Sequence, residues 1–282
     1  MRAAATLLLG VLLAPVSVEG IDRVSRPARG LRYVRRPFHR GALRATVHAL
    51  YVDLCDPAVS LRATAPGEGG RTVSAWARRV GAFAAVNGDY FDMSRLAPLG
   101  PARGGGRWWP EGPREHRDAL FVARADGAAQ VLDAPAGAQR ALWGDVTRTL
   151  DPRWTEVVAV RERVLVGGVV RESPSIAGRD GRHPRTAIGL SADRRTLILA
   201  VVEGRSETGS GATARELGEV MLSLGAWEGM KLDGGGSSAM FIGRRGVVNH
   251  PSDGAERAVA THLGVVVRRD VPRDAPSRCR AR

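Results

Sequence analysis

The chain has 282 residues, with 42 Lys and Arg against 29 Asp and Glu, a formal net charge of +13 and a pI near 11.3. A hydrophobic fraction of 44% and a charged fraction of 25% are ordinary for a globular protein and exclude a wholly disordered chain. The positive charge is almost all arginine, Lys231 being the one lysine, and it is unevenly placed. Residues 21–44 hold eight Arg against Asp22, and residues 268–282 hold six Arg against Asp270 and Asp274. The 45–267 body, with 27 basic and 25 acidic residues, is close to neutral. A nucleic-acid binder concentrates its charge on the folded element that meets phosphates. Here the excess lies at the two ends, which disfavours nucleic acid and points the Arg-rich termini toward an anionic envelope surface.

The order along the chain predicts export. Met1-Arg2 is followed by an apolar run from Ala3 to Ala14 and then by Pro15 to Gly20, the layout of a secretory signal peptide over residues 1–20 with cleavage after Gly20. The run is too short for a spanning helix, and no later stretch is long and apolar enough to be a transmembrane segment. A buried N-terminal helix is the competing reading. The mature protein is then periplasmic or secreted. In an oxidising compartment Cys55 and Cys279 are expected to form a disulfide, and two sulfurs alone do not make a metal site.

Residues 21–44 read as a basic lead-in with one short edge strand. Strands are predicted over 43–54 and 59–64, then a helix over 72–80 capped by Thr72. A compact buried strand, 83–86, leads into Asn87-Gly88-Asp89-Tyr90-Phe91. Residues 92–118, rich in Pro and Gly and containing Trp108-Trp109, show no periodicity and read as a functional or mobile loop. Further strands are predicted at 119–124, 128–132, 139–143, 163–170, 186–190 and 196–202. Thr213-Ala-Arg-Glu216 is a capping box opening a helix that runs to about Leu224. A short strand, 230–232, ends at Asp233, three more strands follow, and 268–282 form a basic tail. The expected fold is α+β, with a mixed, mainly antiparallel sheet and few helices packed on it in a single catalytic domain over 45–267.

Three clusters carry chemistry. Lys231-Leu-Asp233-Gly234-Gly235-Gly236-Ser237-Ser238 puts a carboxylate, a chain of close-approaching amides and two hydroxyls at a strand end, a pattern suited to holding an anion. A tight glycine turn with Asp233 as a local cap is the plainer reading, and the GK[ST] ending of a P-loop is missing. Arg185-Thr186 at the start of an apolar strand suits bidentate capture of phosphate or carboxylate, although a surface Arg is common in so arginine-rich a chain. Asn87-Gly88-Asp89 brings polar side chains to a strand end, or is simply a β-turn. The histidines show no metal-ligand spacing, so neither metal nor other cofactor is expected.

Together these segments resemble the phosphodiester glycosidase family. The resemblance rests on Ala84-Ala-Val-Asn87-Gly88-Asp89-Tyr90-Phe91, His183-Pro-Arg185-Thr186-Ala-Ile-Gly189 and Val202-Glu203-Gly204-Arg205. It continues through the Thr213-led helix, Leu232-Asp233-Gly-Gly-Gly-Ser237-Ser238, and Pro251-Ser-Asp253-Gly254 with Glu256-Arg257-Ala-Val259-Ala260. Asp89, Glu203, Lys231 and Thr261 depart from the commoner residues of that pattern but keep polarity, so the activity class stands while substrate identity is open.

The resemblance implies hydrolysis of a sugar-1-phosphate diester, N-acetylglucosamine-1-phosphodiester-like, at the anomeric C–O bond of a glycan or sugar-phosphate polymer. A phosphate monoester leaves readily, so such a site needs an anion clamp and stabilisation of an oxocarbenium-like centre more than a strong acid. Asp233 is then expected as nucleophile or base, with Asp89 or Glu203 as the second carboxylate. Arg185, Thr186, the Gly234, Gly235 and Gly236 amides and Ser237 or Ser238 would hold phosphate. Asn87 and Arg257 would orient sugar or phosphate oxygens, and Trp108 or Trp109 would stack on a sugar. The competing expectations are a non-catalytic exported carbohydrate- or envelope-binding protein of the same fold, and a polyanion binder using the two basic ends.

Overall fold

Alternation of side chains along each strand sorts the apolar residues of this protein into layers. The computed structural model describes residues 21–110, 117–133, 142–172, 181–206 and 209–279. The segment expected to be a signal peptide lies outside them. In the strand Thr196–Val202, Leu197, Leu199 and Val201 face one apolar cluster while Ile198, Ala200 and Val202 face another. The strand belongs to an eight-stranded sheet that also contains Leu43–Asp53, Arg185–Leu190 and Glu228–Lys231. One face of this sheet packs against a four-stranded sheet made of Val59–Ala63, Ala84–Asn87, Met240–Ile242 and His262–Val267. Its other face is covered by the helix Ala214–Ser223 through Leu217, Val220 and Met221. The helix Val73–Val80 covers the outer face of the four-stranded sheet through Trp76. The result is a helix–sheet–sheet–helix sandwich, with a five-stranded sheet over 102–160 closing one side of the central cluster.

Among the described residues every strand pairing is antiparallel, and the strands divide among separate sheets rather than one mixed sheet. The predicted caps are in place. Thr72 accepts from Ala75, and Thr213 and Glu216 make both bonds of the capping box, at 3.2 and 2.9 Å. Several segments differ from expectation. Glu156–Val160 is a strand where none was expected, the stretch expected as one strand at 163–170 is the hairpin Glu162–Val166 with Val169–Val170, and among the described residues two strands rather than three follow Asp233. The lead-in holds a ten-residue strand, Leu31–Arg40, paired along its length with Leu43–Asp53, while the short edge strand is Arg23–Ser25. Arginines on the half-exposed positions hide an apolar set, Leu31, Tyr33, Val34 and Phe38, that is buried. Pro37 is tolerated because the edge strand stops at Arg35 and asks no bond of it. Of the strand expected at 139–143, residues 139–141 lie outside the description and Leu142–Thr149 is a helix. The loop expected over 92–118 contains two short hairpins, Phe91–Asp92 with Ala97–Pro98 and Ala102–Gly104 with Arg107–Trp108.

The disulfide Cys55–Cys279 is formed, with its Cα atoms 5.1 Å apart across a sequence separation of 224. Around it Arg278 donates to the carbonyls of Val59 and Pro57, and Arg29 donates to those of Val271 and Pro272. The basic lead-in and the basic tail therefore meet. Buried His262 packs face to face on Trp76 at 4.8 Å, with Thr64 Oγ1 2.9 Å from Nδ1 and the Arg71 carbonyl 3.0 Å from Nε2. That pairing assigns a neutral ring that donates from Nε2. Burial pushes its pKa down to about 3.

Closing a loop of this length constrains the unfolded chain by about 5 kcal/mol in the chain-entropy picture. Replacing both cysteines by serine is therefore expected to lower the melting temperature while the far-ultraviolet circular dichroism stays unchanged. His262 makes a separate prediction. The unfolded ring protonates near 6.5 and the folded one near 3, so this contribution is complete above 6.5 and is lost as pH falls between those values. His262→Gln should flatten the fall in thermal stability over that range, as read by melting curves across pH.

Candidate active site

Antiparallel pairing sets the ends of several strands side by side. Arg185 starts its strand opposite Val202, which ends the neighbouring strand and leads to Glu203. Glu228–Lys231 ends beside the start of the Arg185 strand, so Asp233 emerges there too, and Leu232 donates its amide to the Thr186 carbonyl. From the four-stranded sheet, Ala84–Asn87 delivers Asn87, Gly88 and Asp89 to the same place, where the Asp233 amide donates to the Gly88 carbonyl at 3.1 Å.

Asn87 joins these ends. Its Nδ2 donates to the Asp233 carbonyl at 2.8 Å and to the Gly88 carbonyl at 3.2 Å. Its Oδ1 accepts from the Thr186 hydroxyl at 2.7 Å and from the Ala239 amide at 3.3 Å. Both side chains are fully enclosed, so Asn87 and Thr186, expected against the substrate, sit behind the glycine loop and hold it.

The loop itself is one 3₁₀ turn, Gly235–Ser237. Gly235 has φ +61°, and a Cβ on Gly236 would come within 2.0 Å of Asp253 Oδ2 and 2.3 Å of Arg257 Nη2, so only glycine lets that ion pair lie against the turn. The pair itself is Arg257 Nη2 to Asp253 Oδ2 at 2.5 Å. Two of the three glycine amides are already committed, Gly234 to Asp233 Oδ1 and Gly235 to the Pro184 carbonyl. The hydroxyls of Ser237 and Ser238 are buried beside the loop without a well-formed hydrogen bond.

Two carboxylates are held in an unusual state. Burial raises Asp233 above its ordinary pKa, although the Ser237 hydroxyl, the Gly234 amide, Arg257 and Arg117 all favour its charge. Asp89 is buried with Arg117 Nε at 2.5 Å, and burial pushes it up to about 6 against Arg117 and the Tyr90 amide, with repulsion from Asp233 adding to the rise. The Tyr90 hydroxyl is pushed up to about 12 by burial and by Asp233, so it stays protonated and able to donate. Glu203 is different. Burial raises it, but His48 Nε2 at 3.0 Å and the His250 amide at 2.7 Å outweigh that and hold its pKa below the usual value. His48 in turn meets the Tyr33 hydroxyl at 2.7 Å, so Glu203 is the exposed end of a buried polar chain.

Arginines surround this pair of acids. Arg185 is buried, its Nε donating to the Ala212 carbonyl at 2.8 Å and its Nη2 to the Gly181 carbonyl at 3.0 Å. Arg205 is exposed, with φ 57°, and lies 3.3 Å from where a Gly235 Cβ would be. Its Nη2 donates to His183 Nδ1 at 3.1 Å, and burial with Arg185 and Arg205 nearby lowers the His183 pKa. Arg205, Arg117, Tyr90 and Asp253 were not singled out from the sequence as site residues. Arg205, Tyr90 and Asp253 stand within the motifs that carry the family resemblance, and that membership was the signal that could have found them.

Lys231 turns to an ion pair with Glu162. Trp109 Nε1 donates to the Thr64 carbonyl at 2.7 Å, and Trp108 packs on the cluster around Val146 and Leu120. Among the described residues no group of three or more His, Cys, Asp or Glu side chains is placed to hold a metal ion.

Comparison with known proteins agrees with this arrangement. The phosphodiester glycosidase family model matches residues 80–266, the stretch that contains Asn87, Arg185, Asp233 and Arg257. The SPbeta prophage-derived uncharacterized protein YomE of Bacillus subtilis (strain 168) is 43% identical over 84 residues, 30% of this chain and 13% of that protein. The zebrafish N-acetylglucosamine-1-phosphodiester alpha-N-acetylglucosaminidase catalytic domain, auto-inhibited by pro-peptide, has a similar fold, with a TM-score of 0.65 at 20% identity over 89% of this chain and 85% of its own. A hypothetical protein from Synechocystis also superimposes with a TM-score of 0.65, at 16% identity, over 89% of this chain and 64% of its own. This chain thus spans only a small part of the Bacillus protein and less than two-thirds of the Synechocystis chain. With the family match extending over more than half its length, the chain belongs to the phosphodiester glycosidase family.

Proposed function

We propose that the protein is an exported hydrolase that cleaves a sugar-1-phosphate diester, of the N-acetylglucosamine-1-phosphodiester kind, between the anomeric carbon and the phosphate-side oxygen. The observation that carries this reading is the pair Asp233 and Asp89, kept at raised pKa inside a ring of arginines around a glycine turn. Export is supported by the signal-like order of residues 1–20 and by the disulfide; no described helix is long and apolar enough to cross a membrane.

Water adds at the anomeric carbon, the bond from that carbon to the phosphate oxygen breaks, and its electron pair leaves with the phosphate monoester. Asp233, as base, takes the proton from the attacking water or, as nucleophile, first forms a glycosyl ester that water then opens. In both roles it must be ionised. Asp89, held by Arg117, is the second carboxylate of this reading. Glu203, ionised at the end of the His48 chain, flanks the loop through the His250 amide and is placed to orient sugar hydroxyls. Arg205, exposed, and Arg257, half-buried and paired with Asp253, are the cations at the turn and clamp the phosphate, with the Ser237 and Ser238 hydroxyls completing the cradle. Arg185, braced by two carbonyls, fixes the turn and adds positive field behind it. Asn87 and Thr186 position the loop.

Turnover is tested by release of N-acetylglucosamine and a phosphate monoester from a synthetic N-acetylglucosamine-1-phosphodiester. Asp233→Asn is expected to cut kcat by about 10²–10⁴-fold with the melting curve intact. The acid limb of the rate profile is expected above 3.8, because burial raises Asp233 and the rate falls as it protonates. Binding of the diester without release by the wild type would leave the binding-protein reading instead. Arg205→Gly separates clamp from scaffold. It relieves a left-handed backbone that glycine adopts freely, so stability should hold or rise, while KM for the diester should rise about tenfold or more through loss of a charge-assisted bond.

A further inference from the structure

The basic ends of the sequence do not form separate arms. Arg29 reaches the Val271 and Pro272 carbonyls, Arg278 reaches those of Val59 and Pro57, and the Cys55–Cys279 bond ties the tail to the end of the Leu43–Asp53 strand. Arg26, Arg29 and Arg32 of the lead-in are thus gathered with the tail on one face, while Arg40 and Arg44 flank the hairpin turn at the other end of the sheet. That face lies at the far end of the sheet from the glycine turn. The hairpin of Arg185–Leu190 with Thr196–Val202 has Arg185 at the active-site end and its connecting turn, residues 191–195, at the other, roughly 17 Å away at ~3.3 Å per residue.

A hollow of about 680 Å³ opens at this turn. Arg26, Arg29, Arg32 and Arg195 line it, with Asp53 as the acidic group of the wall. The Asp53 carboxylate already accepts the Cys55 amide, and Arg29 is paired with Asp56. Arg26 is exposed, and Arg32 lies over the Tyr51 ring at 3.7 Å. A second hollow, of about 1140 Å³, shares Arg195 and adds Arg194 and Arg278 beside Asp126 and Asp193, so a basic path continues past the disulfide.

We propose that this face is an exosite for a linear sugar-phosphate polymer, holding one stretch of the chain while another stretch reaches the active site. This inference rests on the hydrolase reading above only for its choice of polymer. Spaced phosphates match spaced arginines in a concave track, whereas a bilayer surface would touch the rim and leave the floor, with Ile198 and Tyr51, unfilled. Single-stranded nucleic acid asks for aromatic faces on which bases stack, and the Tyr51 face is occupied by Arg32.

The test uses poly(glycerol phosphate) as probe, with a single-stranded oligonucleotide and phosphatidylglycerol vesicles as the other arms, and measures binding directly by titration at low and high salt. The wild type is expected to bind the polymer, less tightly as salt rises. Arg26→Glu alone and Arg26→Gln with Arg32→Gln should each weaken it at least tenfold, with the release of N-acetylglucosamine from the small diester unchanged. Unaltered polymer affinity in both variants, or tighter binding of the oligonucleotide or of vesicles than of polymer, overturns the proposal. Loss of small-diester turnover in the wild type would instead count against the hydrolase reading, since binding is read without catalysis.

Discussion

Four hydrogen bonds to one side chain hold the site together. Asn87 sits where two sheets of different origin meet, and its amide touches the Asp233 and Gly88 carbonyls, the Thr186 hydroxyl and the Ala239 amide. The partners beyond its own neighbour Gly88 lie on the Arg185–Leu190 strand and on both sides of the glycine turn, so the bonds fix the relative position of the Ala84–Asn87 strand, that strand and the turn. No apolar contact could do this, because dispersion has no direction, whereas an amide with all of its donors and acceptors filled permits a single arrangement. Removing it would leave several buried polar groups unpaired at once, a larger penalty than the loss of any one bond.

Given that frame, the site is a contest between desolvation and charge. Asp233 and Asp89 stand among cations yet remain raised, because burial outweighs the arginines nearest them, with repulsion from Asp233 adding to the rise of Asp89. Glu203, less deeply buried and with a histidine and an amide aimed at its oxygens, goes the other way. Three acids of similar intrinsic chemistry are thereby separated into two whose pKa is raised and one whose pKa is lowered. The division follows from the depth of burial together with the direction of neighbouring donors.

Much of this was legible in the sequence where local rules dominate. The Thr213–Glu216 box, the helix after Thr72, the compact strand before Asn87 and the apolar strands around 186–202 follow from capping and periodicity. The bundle of Asp233, Asn87 and Arg185 was legible as a set, and the structure brings those residues together. Their division of labour was not. Asn87 and Thr186 look like ligand groups until it is known that they face each other, and Arg185 looks exposed until Gly181 and Ala212 are seen to cap it. The Leu31–Arg40 strand was hidden because its arginines lay their stems over the sheet while its apolar residues point inward, so composition read as linker. An aromatic pair in a Gly- and Pro-rich stretch suggests a sugar platform, whereas the anchoring it provides was not legible, Trp108 packing on its own sheet and Trp109 tying the loop to Thr64 after the Val59–Ala63 strand.

The bond between Cys55 and Cys279 has a topological consequence as well as an energetic one. Asn87, Asp89, Arg185, Glu203, Asp233 and Arg257 all fall between the two cysteines, so the whole site lies on a covalently closed ring of the chain. A single backbone cut in any surface loop of that ring opens the circle without producing two molecules. The severed halves remain tethered through sulfur as well as by the shared sheets, so the residues of the candidate site stay in one molecule after a nick that would divide an unbridged chain.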